Sequence, residues 1–165
     1  MTDAVPAARF RIEPYDRARH GDGPAEVVRD VYREYGFTWE PAGYHLDLMR
    51  PEDAYAPPGA FFDVAVMDGR VVGTIGGTVT GDEAELKRLY LYRSARGKGV
   101  GRALAERFVA WARAKGCVRA VLWSDKRLRE AHHLYGKLGF VVTGSRICPG
   151  DPDLSDEWGL TLRLT

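Results

Sequence analysis

The sequence predicts a mixed α/β fold, in which a twisted and mainly antiparallel sheet of six to seven strands is flanked by about four helices. Strand-like and helix-like segments alternate along the chain. The pair Asp68-Gly69 between two apolar runs predicts a tight antiparallel hairpin near the middle. A third apolar strand passes through a glycine-rich turn directly into a helix, whose residues Val100, Leu104 and Phe108 mark one buried face.

Composition points to an ordinary globular protein. At 165 residues, the chain is long enough for one domain spanning residues 1–165, and residues 1–8 are expected to form a flexible tail. The net charge of +1 argues against nucleic acid as a partner. No apolar run is long enough for a signal or a membrane span, so a cytoplasmic location without membrane contact is expected. Cys117 and Cys148 match no metal spacing and are expected to be free thiols.

The first part of the chain is predicted to be the least regular. A strand at Phe10–Glu13 should stop at Pro14, and residues 17–24 should form a charged loop. A helix from about residue 25 to 35 should end at Gly36, because glycine readily adopts the left-handed conformation of a helix end. Residues 37–58 are irregular, with a short helix expected around residues 44–49.

The later elements follow from periodicity and turn residues. Alternation in the second hairpin strand predicts that Val71, Ile75 and Val79 share one face. In the next strand the apolar phase shifts between Leu86 and Leu89, which indicates either a strand buried on both faces or a β-bulge. The remaining predicted elements are strands at 61–67, 71–80, 84–92, 118–123, 140–147 and 157–164, and helices at 100–115 and 128–138.

The turn Arg96-Gly97-Lys98-Gly99-Val100-Gly101 is the strongest functional signal. The first amides of a helix lack partners within the helix and lie at the positive end of its dipole. Glycines allow the backbone to approach an anion closely. A ligand that carries phosphate is therefore expected at residues 96–101. The glycine spacing differs from the dinucleotide-binding and P-loop patterns, and no hydroxyl residue follows Lys98 to hold magnesium.

Two motifs together resemble the GNAT superfamily of N-acetyltransferases. The first is the Arg-x-x-Gly-x-Gly turn at residues 96–101, and the second is Leu134-Tyr135-Gly136-Lys137-Leu138-Gly139-Phe140, with a strand between them. The resemblance implies the GNAT fold, with residues 85–142 as the acetyl-CoA-binding core. It also implies acetyl transfer from acetyl-CoA, as co-substrate, to a primary amine, without a metal.

The resemblance assigns cofactor contacts residue by residue. The pyrophosphate would meet the turn, and the pantetheine would lie along the preceding strand, where a backbone N–H of Tyr90 or Leu91 polarises the thioester. In one departure from the pattern, Leu128 stands where many members have asparagine, so Ser124 or Asp125 substitutes or the contact is absent. The cofactor residues so predicted are Tyr90, Leu91, Tyr92, Arg93, Arg96, Gly97, Lys98, Gly99, Val100, Gly101, Arg102, Ser124, Asp125 and Tyr135.

Two catalytic side chains are predicted from the same resemblance. Tyr135 would protonate the leaving thiolate, because a phenol is mostly protonated at neutral pH. Glu85, eleven residues before Arg96, would accept the proton of the amine, with Asp125, Glu157 or water as alternatives. A domain that binds acyl-CoA as a sensor without turnover is the other function that the sequence allows.

The acceptor is expected to bind among the aromatic residues of the N-terminal part. These form an aromatic wall for an amine or, equally, pack as a satellite core under a long loop. The absence of a large acidic patch favours a small amine over a peptide or protein amine. A homodimer through the C-terminal strands is compatible with the sequence. The aromatic set is Tyr35, Phe37, Trp39, Tyr44, His45 and Tyr55, and Glu40, Asp47 or Glu52 would attract the charge of the amine.

Overall fold

A computed structural model describes residues 9–165, so the tail predicted at residues 1–8 lies outside the described residues. It contains one sheet with the strand order β1-β2-β3-β4-β5-β7-β6, and all neighbours are antiparallel except β4 and β5. The predicted mixed, mainly antiparallel sheet is confirmed. The strands are β1 (Arg11–Pro14), β2 (Ala60–Met67), β3 (Arg70–Thr80), β4 (Glu83–Leu91), β5 (Arg119–Asp125), β6 (Val141–Ile147) and β7 (Asp156–Arg163).

Six α-helices occur in residues 9–165, two more than the sequence predicts. The additional ones are single turns, α1 in the predicted charged loop and α4, which begins at Pro51. The Asp16 side chain caps α1 by accepting from the Ala18 amide at 3.1 Å, and Arg17 joins the two turns through an ion pair with Glu52 at 2.7 Å. The helices are α1 (Arg17–His20), α2 (Gly23–Tyr35), α3 (Leu46–Met49), α4 (Pro51–Ala54), α5 (Val100–Ala114) and α6 (Arg129–Lys137).

The sheet separates two hydrophobic clusters. On one face, Leu104 and Phe108 of α5 are buried with Ile75 of β3. On the other face, α2 packs Val27 and Val28 against the sheet. Both long helices thus cover the central strands, and the two faces are buried as expected for a sheet packed on both sides.

Strand irregularities correct one prediction and resolve another. Val71 belongs to the cluster of α2, whereas Ile75 and Val79 belong to that of α5, so the prediction of a shared face was wrong. A register shift against β2 at Ala65 changes the alternation of β3. The phase change in β4 is a bulge, at which Arg88 has a φ of 52°.

The parallel strands β4 and β5 are hydrogen-bonded over only a short stretch. Their pairing runs only from Glu83, opposite Arg119, to Glu85, opposite Val121. Beyond this point residues 86–91 of β4 have no strand beside them on the β5 side. A cleft therefore opens between the carboxyl ends of two parallel strands, where ligands of α/β sheets commonly bind.

Candidate active site

Two cavities meet in the cleft between β4 and β5. The loop groove, about 370 Å³, is lined by the glycine turn, the end of β4 and one side of α6. The central cavity, about 530 Å³, lies on the other side and is walled by β4, β5, β7 and the chain around α3. Both cavities are lined by Leu89, Tyr90, Leu128 and Ala131. A molecule in the loop groove would therefore meet a second molecule in the central cavity.

The glycine turn presents a row of free amides to the loop groove. Gly97 and Gly99 have φ angles of 75° and 82°, which side chains rarely tolerate. Gly101 lies against Leu91, where an added Cβ would come within 3.0 Å of a methyl carbon. Among the described residues, no acceptor receives a hydrogen bond from the backbone N–H groups of residues 97–102. Such a set of donors at a helix N-terminus is suited to a pyrophosphate.

The basic side chains of the turn differ in how many of their N–H groups already have a partner in the protein. The guanidinium of Arg96 forms two hydrogen bonds with Glu34, at 2.6 and 2.9 Å, and a third with the carbonyl of Leu91 at 3.1 Å. It ties the turn to the end of β4. Arg102 pairs with Glu106 in an exposed ion pair, which is weak enough to exchange for a ligand. Lys98 is exposed, forms no ion pair within residues 9–165 and, unlike Arg96 and Arg102, does not line the loop groove.

Several predicted cofactor residues lie outside the loop groove. The Arg70 guanidinium lies over the Tyr92 ring, 4.6 Å from the ring centre. Neither Tyr92 nor Arg93 lines either cavity. The Val100 side chain is buried in the core, so only its backbone faces the turn. Ser124 and Asp125, the predicted substitutes for the missing asparagine, line the central cavity instead.

Tyr135 is buried, yet it forms part of the wall of the central cavity. Its ring packs edge-on against Phe140, with centroids 5.9 Å apart. Its hydroxyl has no hydrogen-bond partner in the described part of the chain and is not sealed from the cavity. Burial raises the pKa of Tyr135, and the neighbouring Tyr90 adds to this effect. The phenol therefore stays protonated and has a proton available for a group in the cavity.

The three candidate bases all line the central cavity, but they are not equally free. Glu157 accepts from Arg146 at 2.9 Å. Asp125 accepts a hydrogen bond from Arg127 at 2.7 Å. Burial raises the pKa of Asp125, but the hydrogen bonds from Arg127 have the larger effect, so the pKa lies below its usual value. Glu85 meets only the half-exposed Lys87, at 3.4 Å. Glu85 is thus the least engaged of the three.

The aromatic segment divides between the two alternatives left open by the sequence. Phe37, Tyr44 and Tyr55 line the central cavity. Trp39 and His45 pack in the core instead, with ring centroids 4.5 Å apart. Burial, with a smaller effect of Arg88, lowers the pKa of His45 to about 4, so this side chain is neutral. Tyr35, at the end of α2, lines the loop groove and stacks on Phe37 with ring centroids 5.4 Å apart.

One polar network in the central cavity was missed by sequence reasoning. Arg88, at the bulge of β4, forms a two-pronged ion pair with Asp47 of α3, at 2.9 and 3.0 Å. Tyr55 donates to the same carboxylate at 2.6 Å. The only signal in the sequence was the phase change in β4, which marks the bulge but not the partner. Arg88 and Asp47 are far apart in sequence, and only the fold brings them together.

The described residues contain no group of three or more side chains suited to hold a metal ion. None of the helices in residues 9–165 is long and apolar enough to cross a membrane. Cys117 and Cys148 are both buried free thiols, as predicted.

Comparisons with known proteins agree with this geometry. The family model described as acetyltransferase (GNAT) family matches residues 25–140. An uncharacterized N-acetyltransferase of Escherichia coli, YjgM, is 37% identical over 128 residues, covering 72% of this chain and 76% of its own. Human N-acetylaspartate synthetase is 35% identical over 148 residues, which are 88% of this chain and 44% of the synthetase. The chain thus spans less than half the length of that relative.

Solved structures show the same fold. An acetyltransferase from Streptococcus agalactiae superposes with a TM-score of 0.81 at 26% identity, over 93% of this chain and 98% of its own. YncA, a putative acetyltransferase from Salmonella typhimurium solved with acetyl-CoA, gives a TM-score of 0.73 at 23% identity, over 94% of each chain. At this identity the second likeness concerns the fold alone.

Proposed function

We propose, since the chain belongs to the GNAT family of acetyltransferases, that it transfers an acetyl group from acetyl-CoA to a primary amine of a small molecule. The observation that carries the proposal is the junction of the loop groove and the central cavity at Leu89 and Tyr90. One cavity suits a long ligand that ends in phosphate, and the other suits a compact acceptor. Their junction is where an amine and a thioester can meet.

The residues of the loop groove fit acetyl-CoA. The free amides of residues 97–102 would hold the pyrophosphate, and Lys98 and Arg102 would add positive charge. The unpaired side of β4 at Tyr90 and Leu91 would accept the pantetheine as an added edge and polarise the carbonyl. Acetyl-CoA supplies the activated acetyl group, and the chain supplies its orientation.

Tyr135 and Glu85 would handle the protons of a direct attack. As the nitrogen–carbon bond forms and the carbon–sulfur bond breaks, the free Tyr135 hydroxyl would donate its proton to the leaving thiolate. Glu85 would accept the proton of the amine. It lies five residues from Tyr90 along β4, roughly 15 Å at the usual strand rise, so the proton would travel through water in the cavity.

A small acceptor is favoured by the size and walls of the central cavity. Its volume of about 530 Å³ is that of a typical small-molecule site. Aromatic side chains close it on the side of α3 and α4. The name of the synthetase relatives gives an amino acid as their acceptor, which supports a small amine here as well.

Ligand-dependent thermal unfolding tests the cofactor assignment. Acetyl-CoA at ~100 times its dissociation constant should stabilise the protein by about 2.7 kcal/mol. For a domain of this size, the unfolding midpoint should rise by roughly 5–10 °C. ATP and NAD at the same concentration serve as controls and should give no rise. A rise with either control, together with none for acetyl-CoA or CoA, would contradict the proposal.

A further inference from the structure

We infer that the acceptor amine carries a carboxylate, and that the guanidinium of Arg88 binds it in the central cavity. This inference rests on the proposed function, because it concerns the acceptor of that same site. It starts from an arginine that is held rigidly in the wall of the cavity and is used by no step described above.

The position of Arg88 is fixed by contacts on several sides. Its side chain is only 12% exposed, and Nε and Nη2 donate to the two oxygens of Asp47. Nη2 also donates to the carbonyl of Tyr44 at 2.7 Å, and the guanidinium lies 4.8 Å from the centre of the Tyr44 ring. Tyr55 holds Asp47 in turn. The guanidinium is therefore oriented before any ligand binds, which lowers the entropic cost of recognition.

One nitrogen of this guanidinium has no partner. Within residues 9–165, Nη1 of Arg88 forms no hydrogen bond, although Nε and Nη2 form three between them. Nη1 is also not among the side-chain polar atoms that are sealed in the interior without a partner, a set that within residues 9–165 contains only Nε2 of His45. Since Arg88 lines the central cavity, the free N–H groups of Nη1 are open to a ligand there.

The backbone of Arg88 supports a functional role. Its φ of 52° places a residue with a long side chain in the left-handed region, a backbone conformation that residues other than glycine rarely adopt. The Thr74 hydroxyl stabilises this conformation by donating to the Arg88 carbonyl at 2.7 Å. The bulge turns the side chain of one β4 residue into the cavity, two residues before the junction at Tyr90.

The charges around Arg88 favour a carboxylate over a phosphate. Five carboxylates and three cationic side chains line the central cavity, so its surface carries both signs with an excess of negative charge. A doubly charged phosphate would be repelled, whereas a compact zwitterion matches both signs. The ammonium would face the acidic side chains and lose its proton there, and the carboxylate would face Nη1. The acceptor class is therefore amino acids and related amino carboxylates.

The test compares acceptors that differ only in the carboxylate. The twenty common L-amino acids and β-alanine are each assayed beside the corresponding amide, with thiol release from acetyl-CoA as the readout. A hydrogen bond to a charged group is worth about 10- to 100-fold in kcat/KM. The best amino acid should therefore exceed its amide by at least about tenfold. The corresponding aminophosphonate should be a poorer substrate than the amino acid.

Variants assign the preference to Arg88. Changing Arg88 alone would leave Asp47 buried without its partner, so the test uses the double variant Asp47→Asn, Arg88→Gln, which keeps an acceptor for Tyr55. The ratio of kcat/KM for the acid to kcat/KM for its amide should fall to about one, because the acid loses a charged partner that the amide does not use. Arg119→Gln, on an exposed ion pair outside both cavities, is the control and should keep the ratio.

The outcomes separate the inference from the proposed function. Thiol release with simple amines but equal kcat/KM for acid and amide would overturn the inference and keep the acetyltransferase. Loss of the preference in Arg146→Gln, with the Arg88 variant unaffected, would also overturn it, because Arg146 lines the same cavity. If no amine is acetylated, calorimetry measures the affinity of the CoA-bound protein for each amino acid and for its amide, and the amino acid should bind more tightly. Equal affinities, or no binding of any amino acid, would overturn it.

Discussion

Tyr135 combines a buried ring with a free hydroxyl, which is what the proposed role of proton donor requires. Most buried tyrosines satisfy the hydroxyl with a partner. The hydroxyl of Tyr135 has none among residues 9–165 and reaches the central cavity, while the ring is held by Phe140. Because burial raises its pKa, the phenol remains protonated as the pH rises through the neutral range. Its availability as an acid should not limit the rate there.

Replacing Tyr135 by phenylalanine should lower kcat by about 100-fold or more, because the leaving thiolate loses its proton donor. The dissociation constant for acetyl-CoA should hardly change, since the loop groove keeps all its donors. Steady-state kinetics and calorimetry measure the two quantities. Tyr15→Phe, which removes a hydroxyl outside both cavities, is the control and should keep the wild-type kcat. An unchanged kcat in the Tyr135 variant would remove its role as acid.

At the residue scale, the sequence predicted those side chains that belong to a local motif. Tyr135 was found because it stands at a set distance from Gly139 and Phe140. Asp47 was considered only as one of three carboxylates that could attract the amine. Its pairing with Arg88 was not predicted, because it depends on the bulge of β4 and on α3, which meet only in the folded chain. The partner of Glu157 was missed for the same reason, because Arg146 lies on the neighbouring strand β6. The partner of Asp125, Arg127, is only two residues away but was also missed, and both pairs leave Glu85 as the least engaged of the three candidate bases.

At the scale of elements, the glycine turn and the start of α5 act as one unit. Gly97 and Gly99 adopt positive φ and line the loop groove, and the amides of the turn have no acceptor within residues 9–165. Arg96 fixes the other end of the turn by bonding to Glu34 of α2 and to the β4 carbonyl of Leu91. The structure thus gives Arg96 an anchoring role in addition to the charge predicted from sequence.

Gly99→Val should weaken acetyl-CoA binding severely, with little or no affinity left, while the fold survives. A β-branched residue cannot hold a φ of 82° without strain, so the amides of the turn would move out of position. Gly116→Val is a matched control, because Gly116 has a φ of 76° and lies beyond the other end of α5. Calorimetry should show normal affinity for the control and a comparable loss of stability in both. Normal affinity in Gly99→Val would refute the assignment of the turn.

The order of elements could be read from the sequence, but the cleft could not. Periodicity and turn residues placed the strands and the long helices close to their observed bounds. The one-turn helices α1 and α4 were missed, because so short a helix depends on capping and on distant ion pairs such as Arg17 with Glu52. The divergence of β4 from β5 after Glu85 follows from the packing of the whole sheet, and no local pattern encodes it.

At the scale of the whole molecule, the sheet places two different chemistries side by side. Donors at the start of α5 face one cavity, and a mixed-charge wall around Arg88 faces the other. Leu89 and Tyr90 of β4 belong to both. This arrangement supports transfer between two bound molecules more than storage of one. A single domain, a cytoplasmic location and a homodimer stay predictions from sequence.

The most direct measurement is the amine-dependent release of CoA from acetyl-CoA, with the acetylated product followed by mass spectrometry. The account predicts one acetylated small amine for each thiol released, with no release when either partner is omitted. Small amines should be acetylated faster than peptides that present the same amine. Tight binding of acetyl-CoA without release for any small amine would contradict the account. It would instead indicate a domain that only senses acyl-CoA or one that modifies peptide amines.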